Sequence, residues 1–249
     1  MTDPSLALLA AVAAGAALLV GFLKTSVGGG IGLALTPLMT LVLPAPAVLG
    51  LLTVMLSLGD PPSLYYYWLQ WDRRQLRLLL PTVLVGILAG GWLLAGQPEM
   101  ALRRLIGGSA LLLALLQLGL ILARRGPSAA GAPWPVGAGV GLAGGIASAV
   151  AHSGGIVIGP YLAGLGLSNA AVVGTGSAVV AVSNVLKLAT YWQIGFLSWR
   201  LVGLAVVTTP LLYVGSWLGY RLNAVIPRRL FALVLIAIAI AGSLKLLAG

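Results

Sequence analysis

Long apolar runs recur along this 249-residue chain, and Leu78–Ala95, Leu105–Ala123 and Leu230–Leu244 among them contain no charged side chain. Uninterrupted apolar runs approaching 20 residues are the length a helix needs to cross the hydrocarbon core of a bilayer. A membrane β-barrel would instead alternate apolar and polar residues over about ten positions. The composition agrees. The chain is 60% hydrophobic and only 7% charged, with a mean hydropathy of +1.08. Too few charges remain to cover a soluble surface, so the fold class is an all-α, polytopic membrane protein.

The absence of cysteine excludes disulfides, thiolate chemistry and cysteine-based metal sites. The N-terminus, MTDPSLALLAAV, lacks a basic leader, so its first apolar run reads as an uncleaved helix. The net charge of +10 resides largely in pairs at segment ends: Arg73-Arg74, Arg103-Arg104, Arg124-Arg125 and Arg228-Arg229. Such pairs set topology and meet anionic lipid headgroups. No basic patch interleaved with aromatics points to nucleic acid. The aromatic run YYYWLQW, 65–71, beside DRR has the composition of an interfacial belt. Enzyme signatures are lacking, with no HExxH, no GxSxG, no paired acids and a single histidine. No enzyme, cofactor or metal is expected.

Ten apolar segments can be drawn: 5–23, 30–43, 46–69, 76–95, 102–123, 135–150, 156–166, 169–194, 200–221 and 229–248. The second and seventh are too short to span as straight helices. The stretch RRGPSAAGAPWP, 124–135, divides a first repeat, 1–123, from a second, 136–249. Four blocks match in order across it. PTVLVG (81–86) pairs with PLLYVG (210–215), and ALRRL (101–105) with IPRRL (226–230). LPAPAVLG (43–50) pairs with LSNAAVVG (167–174), and Tyr67-Trp68 with Tyr191-Trp192. An internal duplication accounts for collinear matches at a steady offset. Five segments per half would orient the halves oppositely, an inverted repeat of the transporter kind. Arg73, Arg74, Arg77, Arg124, Arg125, Arg221, Arg228 and Arg229 then share one side, against Arg103, Arg104, Arg200 and Lys245 on the other. The richer side is placed in the cytoplasm and both termini outside. If segments one and two form one bent helix, and six and seven another, the halves become parallel.

Two glycine-rich interruptions occupy matched places. LKTSVGGGIGLALTP (23–37) and VAHSGGIVIGP (150–160) each run from a basic or titratable residue through hydroxyls and glycines to a short apolar helix and a proline. A helix restarting after Gly30 or Gly155 has backbone N–H groups without intrahelical partners, and its dipole presents a positive end. Together these favour an anion. Gly28, Gly29, Gly30, Gly154 and Gly155 would open the backbone, while Thr25, Ser26 and Ser153 add hydroxyls and Lys24 and His152 add charge. The alternatives are plain helix packing for the glycines and snorkelling for Lys24. His152 is equally a packing residue or a site or proton-handling residue.

Lys187 lies deep within 169–194, where a charge is expensive and marks function by default. Asp60, in SLGDPPS (57–63), matches Asn184, one turn before Lys187. Asp60 can pair with Lys187 or Lys24, relay protons, or cap the helix that restarts after Pro61-Pro62. Thr175 and Ser177, in VGTGSAV (173–179), suit helix-to-helix hydrogen bonds or pocket lining. Asp60, Asn184 and Thr175 are therefore candidate coupling residues around the anion-binding set.

The run KTSVGGGIGLALTP, its second copy AHSGGIVIGPYLAGLGLSNAAVVGTGSA and the following LKLATYWQIG resemble the sulfite exporter TauE/SafE family, and the resemblance extends from about residue 7 to 247. It implies a bacterial-type inner-membrane transporter of two related halves. Members are associated with moving sulfite, sulfoacetate and other small sulfur-containing anions, commonly outward. The family's glycine-rich signatures fall on Gly28, Gly29, Gly30 and Pro37, and on Gly154, Gly155 and Pro160. Some relatives carry functional cysteines; this chain has none, which excludes cysteine-dependent handling of substrate. The expected function is a secondary transporter exporting a small anion, sulfite or an organosulfonate, by alternating access. Its partners are that anion, membrane lipid and a coupling proton or counter-ion. A carboxylate transporter, an anion channel and a non-transporting membrane subunit are the alternatives. Association into a homo-oligomer stays open, since packing glycines serve contacts within and between copies.

Overall fold

The computed structural model describes residues 6–27, 30–123, 132–223 and 228–248. Among these residues every regular element is a helix. The first half holds α1 (Leu6–Val27), α2 (Ile31–Thr40), α3 (Ala45–Leu58), α4 (Asp60–Tyr66), α5 (Arg73–Leu94) and α6 (Glu99–Ala123). The second holds α7 (Trp134–Ala151), α8 (Gly154–Gly164), α9 (Asn169–Gln193), α10 (Trp199–Val207), α11 (Thr209–Asn223) and α12 (Arg228–Ala248). Among the described residues seven helices are long and apolar enough to cross a membrane, and the bent pair α10 and α11, counted as one span, makes an eighth. The helices α2 and α8, of 10 and 11 residues, are too short to cross, as the sequence indicated.

Burial divides the helices. On α3, Val48, Leu49, Leu51, Leu52 and Met55 are all at most 1% exposed, so this helix is enclosed on every side. A helix apolar all round belongs in such a place. By contrast α6 turns Leu112, Leu115, Leu116 and Leu122 outward, toward lipid. Two close crossings bind the halves together. Gly86 of α5 presses on the Leu142 carbonyl and Gly145 of α7, and Gly215 of α11 presses on the Leu18 carbonyl of α1. A Cβ at either position would strike backbone, so glycine is what lets these helices touch.

Three boundaries depart from the ten-segment reading. First, α1 continues through Val27, so Lys24 rides its last turn instead of lying in the interruption. Second, the GDPP break is shallow. Gly59 N–H still donates to the Met55 and Leu56 carbonyls, because Pro61 and Pro62 fall in the first turn of α4, where no N–H is needed. Third, the segment 200–221 is two helices meeting at 48° around Thr208. Pro210 lacks a donor there, and the Thr208 and Thr209 hydroxyls donate to the Leu204 and Ala205 carbonyls. Its matched proline, Pro81, sits inside an unbroken α5.

Candidate functional site

The two interruptions meet. A Cβ at Gly30 would press on Ile156 of α8, and one at Gly32 would strike the Ala151 carbonyl and His152. Gly30 has φ 79 and His152 φ 54, both in the left-handed region, so each chain turns sharply before its short helix begins. Neither α2 nor α8 has a side-chain cap on its first turn. The α8 helix folds back along α7: Ile158 packs on Gly144, and Tyr161 on Gly137. The seventh segment thus packs beside the helix that precedes it.

Lys24 does not snorkel outward. Its Nζ donates to Asp60 Oδ1 at 2.6 Å and to the Leu56 carbonyl at 2.8 Å. Gly59 makes room, since its missing side chain would occupy the place of the Lys24 stem. The other Asp60 oxygen, Oδ2, accepts from Asn184 Nδ2 at 2.7 Å. Of the roles open to Asp60, pairing with Lys24 is the one formed, from the first residue of α4. A salt bridge held this way loses much hydration, and its carboxylate is satisfied from both sides.

Lys187 is 1% exposed, three residues beyond Asn184 on the same face of α9. Among the described residues it forms neither a salt bridge nor a side-chain hydrogen bond. Asp60, Lys24 and His152 lie within its electrostatic range. Two lysines therefore share one carboxylate, and with both protonated the cluster carries one excess positive charge in a buried surround. An isolated buried ammonium is costly; an anion beside it would offset that cost.

His152 is 7% exposed and ends α7. Its Nε2 lies 2.8 Å from Thr53 Oγ1, and its ring stands edge-on to Tyr191 at 6.3 Å. Tyr191 in turn donates to the Ala149 carbonyl. Ser153 is fully buried, but its hydroxyl donates to the Ala151 carbonyl and closes the turn instead of pointing at a ligand. The Thr36 hydroxyl donates to the same carbonyl from α2.

The structure thus brings Lys24, Asp60, Asn184, Lys187 and His152 into one cluster beside the two interruptions. Gly154 packs against the Gly144 carbonyl, and Gly155 lies in the first turn of α8. Thr25 and Ser26 lie on the last turn of α1, while Gly28 and Gly29 fall outside the described residues. Thr175 is elsewhere. Twelve residues before Lys187, it is roughly 18 Å away along the helix. There its hydroxyl accepts the Asp72 N–H at the start of α5. It tethers two helices and lies outside the cluster. Two residues that sequence reasoning passed over belong in it: Thr53, a hydroxyl within the otherwise apolar centre of α3, and Tyr191, one turn beyond Lys187. Among the described residues no group of three or more His, Asp or Glu side chains is placed to hold a metal ion.

A family model described as sulfite exporter TauE/SafE matches residues 13–246, which include the whole cluster. Comparisons with curated proteins and with solved structures return no match.

Proposed function

We propose a specific transport reaction for this chain, which belongs to the sulfite exporter TauE/SafE family. The family is one of membrane transporters of sulfur anions. In this reading the chain exports sulfite or an organosulfonate across a bacterial-type inner membrane, as a secondary transporter working by alternating access. The anion binds between Lys187 and Lys24, near the uncapped starts of α2 and α8. A sulfonate stays ionised near neutral pH, so fixed cations and helix N-termini suit it.

The observation that carries the reading is Lys187: a fully buried ammonium without a carboxylate of its own, beside a lysine that already has one. Contacts between the halves support alternating access. Asp60 and Asn184, matched in the repeat, touch each other, which matched residues do only near an axis relating the halves. Gly86 and Gly215 are also matched, and each makes the close crossing of its half. Two halves related in this way, with both termini outside, can rock about a central site.

Thermal-shift and calorimetric titration of the purified protein against sulfite, sulfoacetate, taurine, thiosulfate and simple carboxylates tests this. Sulfite or sulfoacetate should bind, and Lys187→Met should weaken that binding about ten- to a hundredfold, the worth of one hydrogen bond to a charged group. The unfolding transition should remain cooperative. An unchanged affinity would remove Lys187 from the site, and preference for carboxylates would overturn the sulfur-anion assignment.

A further inference from the structure

Thr53 decides the tautomer of His152. Its hydroxyl has one hydrogen, and that hydrogen is donated to the Leu49 carbonyl at 2.9 Å. The same oxygen meets His152 Nε2 at 2.8 Å. With the hydroxyl hydrogen committed, the ring nitrogen must be the donor. Nε2 therefore carries hydrogen, and in the neutral ring Nδ1 is a bare lone pair. Nδ1 is buried and has no hydrogen-bond partner among the described residues. Turning the ring over would forfeit Thr53, and the Cβ of His152 is wedged against Gly32. Among the described residues the unmet acceptor of the cluster is thus a nitrogen that can take up a proton.

The surrounding charges say when it would. From α9 come Lys187 and Tyr191, from α4 Asp60 and from α1 Lys24. The helices α2 and α3 present the Thr36 and Thr53 hydroxyls and contain no ionisable residue. Tyr161 of α8 donates to Gln75, beside Arg74, and the arginines of α5 all lie near its start. On α6, Glu99 binds Arg103 and the Ala45 N–H, with Arg104 next in sequence. With both lysines protonated, the local sum is two lysines against one carboxylate, an excess of one positive charge. Protonating His152 in the empty site would add a second excess charge, which a low-dielectric surround opposes. A bound monoanion cancels the excess. A bound dianion overshoots by one negative charge, and a proton on Nδ1 restores neutrality.

Resting on the transport reading above, we infer that His152 Nδ1 is the proton-binding site of the transport cycle, loaded when a dianion fills the cluster and left empty for a monoanion. A proton from water adds to the Nδ1 lone pair, one N–H bond forms, and neutral imidazole becomes imidazolium with no change of redox state. The proton leaves with the dianion on the other side. Both classes of substrate then move one net negative charge, the dianion with one proton and the monoanion with none.

The full chain in detergent serves for the test, with sulfoacetate as dianion and methanesulfonate as monoanion. The chain has a single histidine, so the imidazole signals of ¹⁵N-histidine-labelled protein all come from His152. Saturating sulfoacetate should convert Nδ1 from unprotonated to protonated, while methanesulfonate should leave it bare. Calorimetry in two buffers of different ionisation enthalpy should count about one proton taken up with sulfoacetate and none with methanesulfonate. Because binding takes up a proton, sulfoacetate affinity should fall about tenfold per pH unit above neutrality, and methanesulfonate affinity should stay flat. His152→Gln should still bind sulfoacetate but lose both the proton and the pH dependence. A ring that stays neutral with sulfoacetate bound, equal uptake for the two anions, or uptake persisting in His152→Gln would overturn the inference and leave the transport site standing. If neither anion binds, both readings fall.

Discussion

The two interruptions share one sequence grammar and yield different chemistry. In the first, the cation precedes the break. Lys24 lies on the last turn of α1 and reaches across to Asp60, so its charge is answered within the protein. In the second, the titratable residue is the break. His152 holds the left-handed turn itself and anchors to Thr53. Their short helices also part company. The α8 helix lies back along α7, whereas α2 leaves α1 to pack mainly on α12 and α6. Two similar stretches of sequence thus hold one fixed ion pair and one left-handed turn anchored to a hydroxyl, and Lys187 comes from neither.

The largest effect should follow from removing the shared carboxylate. Asp60→Leu leaves Lys24 and Lys187 without an acid, and breaking a buried pair in this way costs about 3–5 kcal/mol. Lys24→Met should cost clearly less, since Asp60 keeps Asn184 and gains Lys187 as its remaining cation. Unfolding both variants in parallel measures the difference. Equal losses would mean that Lys187 cannot take over from Lys24, and that the two cations are not alternatives.

A smaller effect should separate the glycines. Gly32→Ala pushes a Cβ into the backbone of the second interruption, which no side-chain rotation relieves, and should destabilise by about 1–3 kcal/mol. Gly30→Ala strains a left-handed residue but meets only the flexible Ile156 side chain, so it should fall toward the lower end of about 1–3 kcal/mol. Gly159→Ala, with open space at its Cβ, should change stability little. Thermal unfolding of the three variants gives the ranking, and an inert Gly32→Ala would show that the two breaks do not touch.

The smallest effect should come from Thr175→Val, which removes the acceptor of the Asp72 N–H and should cost about 1 kcal/mol. Anion affinity should not move. A shift in affinity would return Thr175 to the site from which the geometry separates it.

Much of this arrangement could be read along the chain. Lys187 stood out because a charge within 25 residues of helix has no route to water. Asp60 and Asn184 hold matching places in the sequence, and their side chains touch. Other features were hidden for physical reasons. Thr53 is one hydroxyl in an apolar helix and commonly just bonds back to its own turn, which it also does here. The bend at Thr208 was invisible because a matched proline, Pro81, sits in a straight helix; a proline permits a kink, and packing decides whether it forms.

By itself the sequence determined the class, a bundle of membrane helices with two short segments, because apolar length and glycine-proline spacing act locally and in any context. It also determined that Lys187 would be buried. Only the tertiary structure decided which partners these groups have. The bonds of Lys24 to Asp60 and of His152 to Thr53 join residues 36 and 99 positions apart. Helical periodicity assigns a residue to a face but not to the helix opposite it, and the excess charge of the cluster exists only once those faces close on one another.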